Sequence, residues 1–375
     1  MKLLIFSAAF FPAKKCGGPP VSVNNFCTLM DEYECYVVAS DHDLGETERF
    51  KDIKEGWNDR SNARVLYLSD KEFRSLKRIR EIVDEVKPDW IYFQSFFQRC
   101  VFPGLIVAKE KHLKVLLATR GEMCKAAMAI KKYKKIPYIL IIRYLGLVKN
   151  VLFQSTSNEE TDGIIKWLRI KPEKIYRLEN VPSIVENSYY HTPKKKGTGH
   201  FVFLARIHPI KNLDKALQYM YMIKGNVFFD IYGPIENKDY WEKCKELIRG
   251  LSDNIHVTYQ GFVSHEEVHD VFSQYDALVF PTQSENFGHV IAESLAVGTP
   301  VIISDQTPWN DVNKYGAGYA IALNNPLSFQ THIQEIVDFG NEEMMHMRYN
   351  AKGFFEERMK IHELKESYKR VFENG

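Results

Sequence analysis

The stretch that decides the fold of this chain is Pro281-Thr-Gln-Ser-Glu285-Asn-Phe-Gly288-His-Val-Ile-Ala-Glu293-Ser-Leu-Ala-Val-Gly-Thr-Pro-Val-Ile. An apolar strand at 277–280 leads into it, a helical pattern begins near Gly288, and a second apolar strand follows the Gly-Thr-Pro turn. A strand, a loop, a helix and a strand in this order form the repeating element of an α/β sheet.

Short apolar runs alternate with helical patterns along the rest of the chain as well. Short runs of this kind between helices are typical of parallel strands that are buried on both faces. The predicted strands are 3–6, 35–39, 64–68, 90–93, 115–118, 151–154, 175–178, 201–204, 227–232, 255–259, 277–280, 300–303 and 318–322. The sequence therefore predicts an α/β fold made of two Rossmann-like, doubly wound units with parallel sheets.

The length of the chain and one polar segment suggest where these units divide. A chain of 375 residues exceeds what one compact core usually holds, so we expect two domains. Residues 192–199 are polar, contain proline and glycine, and indicate a linker or a hairpin-like entry to the second domain. Near the end, Ile361, Leu364, Tyr368 and Val371 recur at helical spacing, which predicts an amphipathic terminal helix.

Composition narrows the class of protein. A net charge of +2 gives no general attraction to nucleic acid. Six cysteines without CxxC pairs or zinc spacing indicate reduced thiols in a cytoplasmic protein. Residues 1–12 fit a buried first strand better than a signal peptide, and no apolar run in the sequence is long enough to span a membrane.

The charge is nevertheless uneven, because residues 109–149 hold eleven Lys/Arg and only two acids. Within them, residues 125–149 combine seven basic residues, no acids and an aromatic-aliphatic run. Two interpretations remain open for this segment. It is either a patch that binds an anionic membrane surface, with the protein peripheral at the inner face, or a pair of core helices with solvated lysines.

Two places in the sequence suit the binding of phosphate. Gly17 and Gly18 follow the first strand and precede a helix, where backbone N–H groups can approach an anion closely. Arg206 and Lys211 follow the strand at 201–204, at the sheet edge where ligands bind in open α/β folds. Two cations there can hold a diphosphate, although a solvated Arg and Lys on a loop would give the same sequence.

The opening stretch offers a different chemistry. Glu285 lies in the loop and Glu293 eight residues later in the helix, and each carboxylate can accept hydrogen bonds from a pair of hydroxyls. The sugar and the ribose of a nucleotide sugar provide two such pairs. Between them, the backbone of Asn286, Phe287, Gly288 and His289 supplies N–H donors at a helix N-terminus.

A metal site is a weaker alternative. Asp41 and Asp43 follow the strand at 35–39 and fit an Asp-x-Asp pattern that could hold Mg²⁺ or Mn²⁺ at a diphosphate. Such a short pattern is common by chance, and a surface loop fits it equally well. We therefore expect no metal.

Taken together, these residues resemble the family 4 retaining glycosyltransferases, which have the two-domain GT-B fold with a central cleft. The resemblance implies a first domain at 1–185 plus 354–375, on the acceptor side, and a donor domain at 186–353. It also implies that the terminal helix crosses back onto the first domain.

The resemblance further implies a role for each site residue. Glu285 would contact the donor sugar, Glu293 the ribose, and Arg206 and Lys211 the diphosphate. Additional donor contacts would come from Gly17, Gly18, Phe262, Val263, Asn286, Phe287, Gly288 and His289. No metal or other cofactor is implied, since the two cations neutralise the leaving group.

Two positions depart from the family pattern. The usual Lys-Gly pair is Lys211-Asn212 here. Where many members have a histidine after the fifth strand, this chain has Arg120 and Glu122, which become the candidates for contact with the acceptor. A similar Arg-Gly-Glu segment in polysaccharide-building members implies a glycan or lipid-linked glycan acceptor.

The activity implied is the transfer of a sugar from a nucleotide-diphosphate sugar with retention of configuration. Two alternatives stay open at this stage. One is a nucleotide-sugar epimerase on the same fold, and the other is a non-catalytic nucleotide-sugar-binding subunit of a polysaccharide assembly.

Overall fold

The computed structural model describes residues 1–16, 18–60, 62–185, 189 and 191–375, which form two compact units. The first unit comprises Met1–Val181 and Ile361–Gly375, and the second comprises Pro182–Lys360. The divisions thus fall slightly before residue 185 and slightly after residue 353, the boundaries expected from the sequence.

The first unit is built on an eight-stranded sheet in the order β3-β4-β2-β1-β5-β6-β7-β8. Its strands are β1 Lys2–Phe6, β2 Glu34–Ser40, β3 Trp57–Arg60, β4 Ala63–Leu68, β5 Trp90–Phe93, β6 Lys114–Ala118, β7 Val151–Ser155 and β8 Ile175–Arg177. Its helices, up to the start of the second unit, are α1 Gly18–Leu29, α2 Leu76–Val86, α3 Val101–Glu110, α4 Lys125–Ala129, α5 Lys132–Tyr144 and α6 Asn158–Leu168. β1, β2 and β4 to β8 pair in parallel, as the apolar runs predict.

β3 is the strand that the sequence does not predict. It pairs antiparallel with β4, and its four residues include three polar ones. Trp57 attaches this strand to the rest of the unit. Its ring lies 5.3 Å from the Tyr36 ring, and its Nε1 donates a hydrogen bond to Glu85 at 2.8 Å. A short polar edge strand has no apolar pattern of its own and forms only because its neighbour is present.

The second unit is built on a six-stranded parallel sheet in the order β11-β10-β9-β12-β13-β14. Its strands are β9 Thr198–Leu204, β10 Asn226–Tyr232, β11 Ile255–Gly261, β12 Ala277–Phe280, β13 Val301–Ser304 and β14 Gly318–Ile321. Its helices are α7 Leu213–Met220, α8 Lys238–Arg249, α9 Val268–Ser273, α10 His289–Ala296, α11 Pro326–Asp338 and α12 Asn341–Met359. β9 begins inside the segment 192–199, so the polar end of that segment is strand rather than linker.

The terminal helix, α13 Ile361–Asn374, belongs to the first unit. Trp90 Nε1 donates to the Phe372 carbonyl at 2.9 Å, and Gln154 Nε2 donates to the Tyr368 hydroxyl at 2.9 Å. The rings of Tyr368 and Phe372 also pack against the Phe26 ring of α1. The predicted return of the chain to its first domain is therefore present.

Each sheet has a place where the order of successive strands along the sheet reverses, between β1 and β5 in the first unit and between β9 and β12 in the second. Ligands of open α/β sheets bind outside the carboxyl ends of the strands at such a place. Most of the predicted site residues lie in loops that follow these strands or their neighbours.

Candidate functional site

In the second unit, the loops after β9 and β12 bring Lys211 and Glu285 together. Lys211 ends a 3-10 turn, Pro209–Lys211, and its Nζ donates to Glu285 Oε1. The side chains are only 15% and 14% exposed, and the ammonium also lies 5.5 Å from the centre of the Phe280 ring. A cation and a carboxylate held at one point can receive a phosphate and a sugar hydroxyl respectively.

Hydrogen bonds fix these two loops to one another. The backbone N–H of Gln283 donates to the Ile210 carbonyl at 2.8 Å, and Asn212 Nδ2 donates to the Pro281 carbonyl at 2.8 Å. Asn212 has a left-handed backbone, with φ 55°. Asparagine tolerates that conformation better than most residues, so the departure from Lys-Gly keeps the turn and adds an anchor.

Arg206 is paired with Glu236, a residue that the sequence analysis missed. Arg206 Nη1 donates to Glu236 Oε2 at 2.6 Å. The loops that carry them are joined backbone to backbone, and a Cβ on Gly233 would lie 1.9 Å from the Ala205 carbonyl oxygen. Only glycine permits this approach. In the sequence, Gly233-Pro234 after an apolar strand indicates a turn. This was the signal that could have placed the segment with Glu236 beside the loop after β9.

Glu293 is buried, with 5% of the residue exposed, and is not a solvated helix residue. Its Oε1 accepts a hydrogen bond from the Ser183 hydroxyl at 3.3 Å and lies 3.7 Å from His265 Nδ1. Burial raises the pKa of Glu293 to about 7 and lowers the pKa of His265. A carboxyl held in this way titrates near neutral pH, which is typical of functional sites.

Contacts with Trp309 surround the N-terminus of α10. Gly288 precedes the helix with φ 78°, and the Phe287 carbonyl accepts a hydrogen bond from Trp309 Nε1. The Phe287 ring lies 4.7 Å from the His289 ring and 5.8 Å from the Trp309 ring. The backbone from Asn286 to His289 is therefore held in place by a buried indole.

Substituting Gly288 by alanine tests whether this geometry matters. The new Cβ would lie 3.1 Å from Ile291 Cδ1 at a left-handed φ, so we expect a stability loss of about 1–3 kcal/mol and weaker nucleotide-sugar binding. Urea unfolding and calorimetric titration measure both. Gly353→Ala is the control, because a Cβ there meets nothing within 4 Å inside α12 and should stabilise by up to about 1 kcal/mol. Unchanged binding by Gly288→Ala would remove the helix terminus from the site.

The remaining donor-side candidate in this unit is the end of β11. Gly261 has φ 81°, and its carbonyl accepts a hydrogen bond from Gly233 N–H at 2.7 Å. The next residue, Phe262, is 47% exposed, and Val263 is half-buried. The structure thus places an exposed ring and a half-buried apolar residue at the carboxyl edge of this sheet.

The phosphate loop predicted after β1 is only partly described. Gly17 lies outside the described residues, and Gly18 is the first residue of α1. Asp43 is directed at the same loop, since its carboxylate accepts the backbone N–H groups of Lys14 at 2.7 Å and Lys15 at 3.1 Å.

The Asp-x-Asp pattern therefore has a structural explanation. Asp41 contacts His42 at 2.7 Å, while Asp43 anchors the loop after β1. Among the residues that the structure describes, no three His, Cys, Asp or Glu side chains are grouped as metal ligands.

The two acceptor-side candidates differ in their surroundings. Glu122 is turned inward, and its carboxylate accepts hydrogen bonds from Ser95 Oγ at 2.6 Å and Phe96 N–H at 2.6 Å. Burial raises its pKa. Arg120 instead contacts Gln94 and Asn180 at the carboxyl edge of the first sheet. The structure thus gives Glu122 a role in holding the loop after β5, and Arg120 is the residue that we retain as an acceptor-side candidate.

Comparisons with known proteins agree with this architecture. Residues 189–354 match the family described as glycosyl transferases group 1. The O-antigen chain mannosyltransferase RfbU of Salmonella typhimurium is 28% identical over 178 residues, 47% of this chain and 48% of that protein. An uncharacterized 41.2 kDa protein in the cps region of Klebsiella pneumoniae is 25% identical over 234 residues, 57% of this chain and 58% of its own length. The chain thus aligns with about half the length of these curated relatives.

A solved structure extends the likeness of fold to both units. Anabaena Alr3699/HepE, crystallised in complex with UDP and glucose, has a TM-score of 0.70 at 13% identity, with all of both chains covered. The predicted fold class is confirmed. The chain has the GT-B fold, and its residues 189–354 match the family of glycosyl transferases group 1.

Proposed function

We propose that this protein is a retaining glycosyltransferase that moves a sugar from a nucleotide-diphosphate sugar to a glycan or lipid-linked glycan. The observation that carries the proposal is the largely buried Lys211–Glu285 pair. It lies at the sheet edge of the second unit, where the strand order reverses between β9 and β12. The group 1 family match and the UDP complex of HepE support a nucleotide-sugar donor. The name of RfbU, an O-antigen chain mannosyltransferase, supports a glycan acceptor.

In this proposal the donor diphosphate binds between Arg206 and Lys211. Glu285 accepts hydrogen bonds from the sugar hydroxyls and Glu293 from the ribose hydroxyls. Phe262 and Val263 lie against the base, and backbone N–H groups of 286–289 and of Gly17 and Gly18 contribute further donors. The Lys211–Glu285 contact loosens as each partner meets its own part of the ligand.

The transfer step needs no protein base. The acceptor hydroxyl attacks the anomeric carbon from the face that the diphosphate leaves, so that configuration is retained. The bond between that carbon and the phosphate oxygen breaks, and the departing phosphate takes the proton of the attacking hydroxyl. Arg206 and Lys211 stabilise the negative charge that grows on the phosphate as the sugar becomes cationic.

The two cations supply the charge that a divalent metal would otherwise provide, so we propose a metal-independent reaction. Activity should therefore be unchanged when the protein is assayed in EDTA. Loss of activity in EDTA that Mn²⁺ restores would contradict this proposal and return Asp41 and Asp43 to the list of ligands. Titrating EDTA during a continuous assay of nucleotide release measures the effect.

We also propose that α4 and α5 attach the protein to the cytoplasmic face of an anionic membrane as a peripheral protein. Large apolar side chains are exposed on these helices and in the two-residue segment between them. Among them are Ile130, Tyr133, Leu140 and Tyr144, the last with 91% of the residue exposed. They are interspersed with lysines. No helix in the described part of the chain is long and apolar enough to cross a bilayer. Apolar residues among basic ones favour insertion at an anionic interface.

Sedimentation with vesicles tests this attachment. Replacing Lys125, Lys132 and Lys134 with glutamine should lower the fraction bound to phosphatidylglycerol vesicles several-fold, and salt should weaken binding by the wild-type protein. The matched control replaces Lys195, Lys196 and Lys224, which are exposed on the second unit and carry the same total charge. Equal binding by both triple variants would contradict a dedicated surface.

An epimerase and a non-catalytic binding subunit remain distinguishable from this proposal by experiment. A thermal-shift panel of nucleotide sugars identifies the donor, because a bound ligand raises the melting temperature by mass action. A product with a new glycosidic bond then supports transfer. Isomerised donor without an acceptor would indicate an epimerase, and tight binding without turnover would indicate a binding subunit.

A further inference from the structure

The side chain of Arg120 is held by hydrogen bonds at the carboxyl edge of the first unit's sheet. It follows β6, and its guanidinium reaches Gln94, which follows β5, and Asn180, which follows β8. The order of successive strands along this sheet reverses between β1 and β5. These residues therefore lie where open α/β sheets bind their ligands.

The backbone that carries Arg120 is fixed on both sides. Arg120 and Gly121 have left-handed backbones, with φ 49° and 78°. Buried Glu160 accepts hydrogen bonds from the Thr119 hydroxyl, at 2.6 Å, and from the Gly121 N–H. Glu122 is occupied by the loop after β5. Both carboxylates are thus engaged by other partners, and no carboxylate in the described residues forms an ion pair with Arg120.

The partners of Arg120 are neutral amide oxygens. Its Nη1 donates to Asn180 Oδ1, and its Nε and Nη2 donate to Gln94 Oε1, the Nε bond at 3.1 Å. These bonds use three of the five guanidinium N–H groups. The positive charge is oriented but not neutralised, and donors remain.

Gln94 supplies a second, independent indication. It is 3% exposed, and its Oε1 is engaged by Arg120, which fixes the orientation of the amide. Its buried Nε2 has no hydrogen-bond partner among the described residues. An unsatisfied buried donor is costly, and it is usually explained by a ligand or a water that accepts from it.

We infer that Arg120 and Gln94 form a binding site for a phosphate or diphosphate group. A guanidinium that is not neutralised, in contact with an amide whose buried N–H group has no partner, favours an acceptor-rich, negatively charged ligand. The second unit already offers Arg206 and Lys211 to a donor diphosphate. We therefore assign the anion at Arg120 to the acceptor, which would be a phosphorylated or diphosphate-linked glycan; this assignment rests on the proposed function, whereas the anion site does not.

Inorganic pyrophosphate is the probe, titrated calorimetrically into the full chain. The background is Arg206→Ala with Lys211→Ala, so that the donor site no longer contributes. Binding should persist there, and adding Arg120→Gln or Gln94→Glu should raise the dissociation constant by at least about tenfold. Gln94→Glu places a carboxylate against the intact Arg120, so it should abolish the site without lowering the melting temperature.

Three outcomes would overturn the inference. One is the complete loss of pyrophosphate binding in the variant in which only Arg206 and Lys211 are replaced. Another is binding that is indifferent to both Arg120→Gln and Gln94→Glu. If Arg120→Gln does not fold, Gln94→Glu decides the question. The third is loss of binding by Gln94→Glu only in step with a fall in stability.

A second arm identifies the source of the anion. The wild-type protein is first saturated with the nucleotide diphosphate of the donor that the thermal-shift panel identifies. The Arg120-dependent pyrophosphate site should then remain available. If the nucleotide blocks it, the anion belongs to the donor and the assignment to the acceptor fails. Because this readout is binding and not turnover, it stands or falls separately from glycosyl transfer.

Discussion

Replacing Arg206 and Lys211 together with alanine is expected to lower kcat/KM for sugar transfer by about three orders of magnitude. The two cations are the groups that meet the charge growing on the departing diphosphate. A single preorganised donor aimed at such a charge contributes about two to three orders of magnitude by itself. The loss should appear mainly in kcat, since the contacts strengthen as the transition state forms.

Lys215→Ala is the matched control, because Lys215 is an exposed lysine four residues further along, in α7. It should leave both kcat and KM unchanged. The double variant leaves Glu285 and Glu236 without their cations, so its melting temperature must be measured alongside. A folded double variant with unchanged transfer kinetics would end the leaving-group role of these residues.

Glu293→Gln is expected to stabilise the protein at pH 8 while weakening donor binding. Burial raises the pKa of this carboxyl from 4.5 to about 7, so the folded protein at pH 8 carries a buried charge that the unfolded chain holds in water. Removing that charge should raise the free energy of unfolding by up to about 3 kcal/mol. The donor dissociation constant should rise by about one to two orders of magnitude, because the ribose loses charge-assisted hydrogen bonds.

The pH dependence gives this prediction its sign. Between the unfolded and folded pKa values, the folded wild type binds more protons than the unfolded chain, so its stability falls as pH rises from about 4.5 to about 7. Glu293→Gln lacks this fall, and its advantage should vanish at pH 4 in paired denaturation curves. Donor binding by the wild type should tighten from pH 6 to pH 8, and binding by the variant should not. Equal affinities for the donor would separate Glu293 from the nucleotide.

Most of the architecture could be predicted from the sequence, because parallel strands that are buried on both faces must be apolar on both. All of the predicted runs are strands, and the helix after Gly288 begins where its pattern begins. The exceptions have one cause. β3 and the polar start of β9 take their structure from a neighbouring strand, and such pairing between distant segments leaves no local pattern.

The candidate site was predictable only in part, since residue types reveal chemistry but not partners. Lys211 and Glu285 were expected at one crevice, but they are 74 positions apart in the sequence. Their direct contact depends on two loops that a hydrogen bond of Asn212 joins. Glu236 gave no signal of its own. Glu122 looked like a ligand-binding acid in the sequence, and its burial behind the loop after β5 follows from tertiary packing alone.

The position of α13 has a consequence for how the chain is made. Trp90, Tyr92 and Phe26 bury their rings against Tyr368 and Phe372, which follow the whole second unit in the chain and therefore leave the ribosome after it. The aromatic surface of the first unit that α13 covers therefore stays exposed while all of the second unit is synthesised. Translation that stops early would release a chain whose second unit is whole and whose first unit exposes these rings, a form suited to recognition by chaperones and proteases.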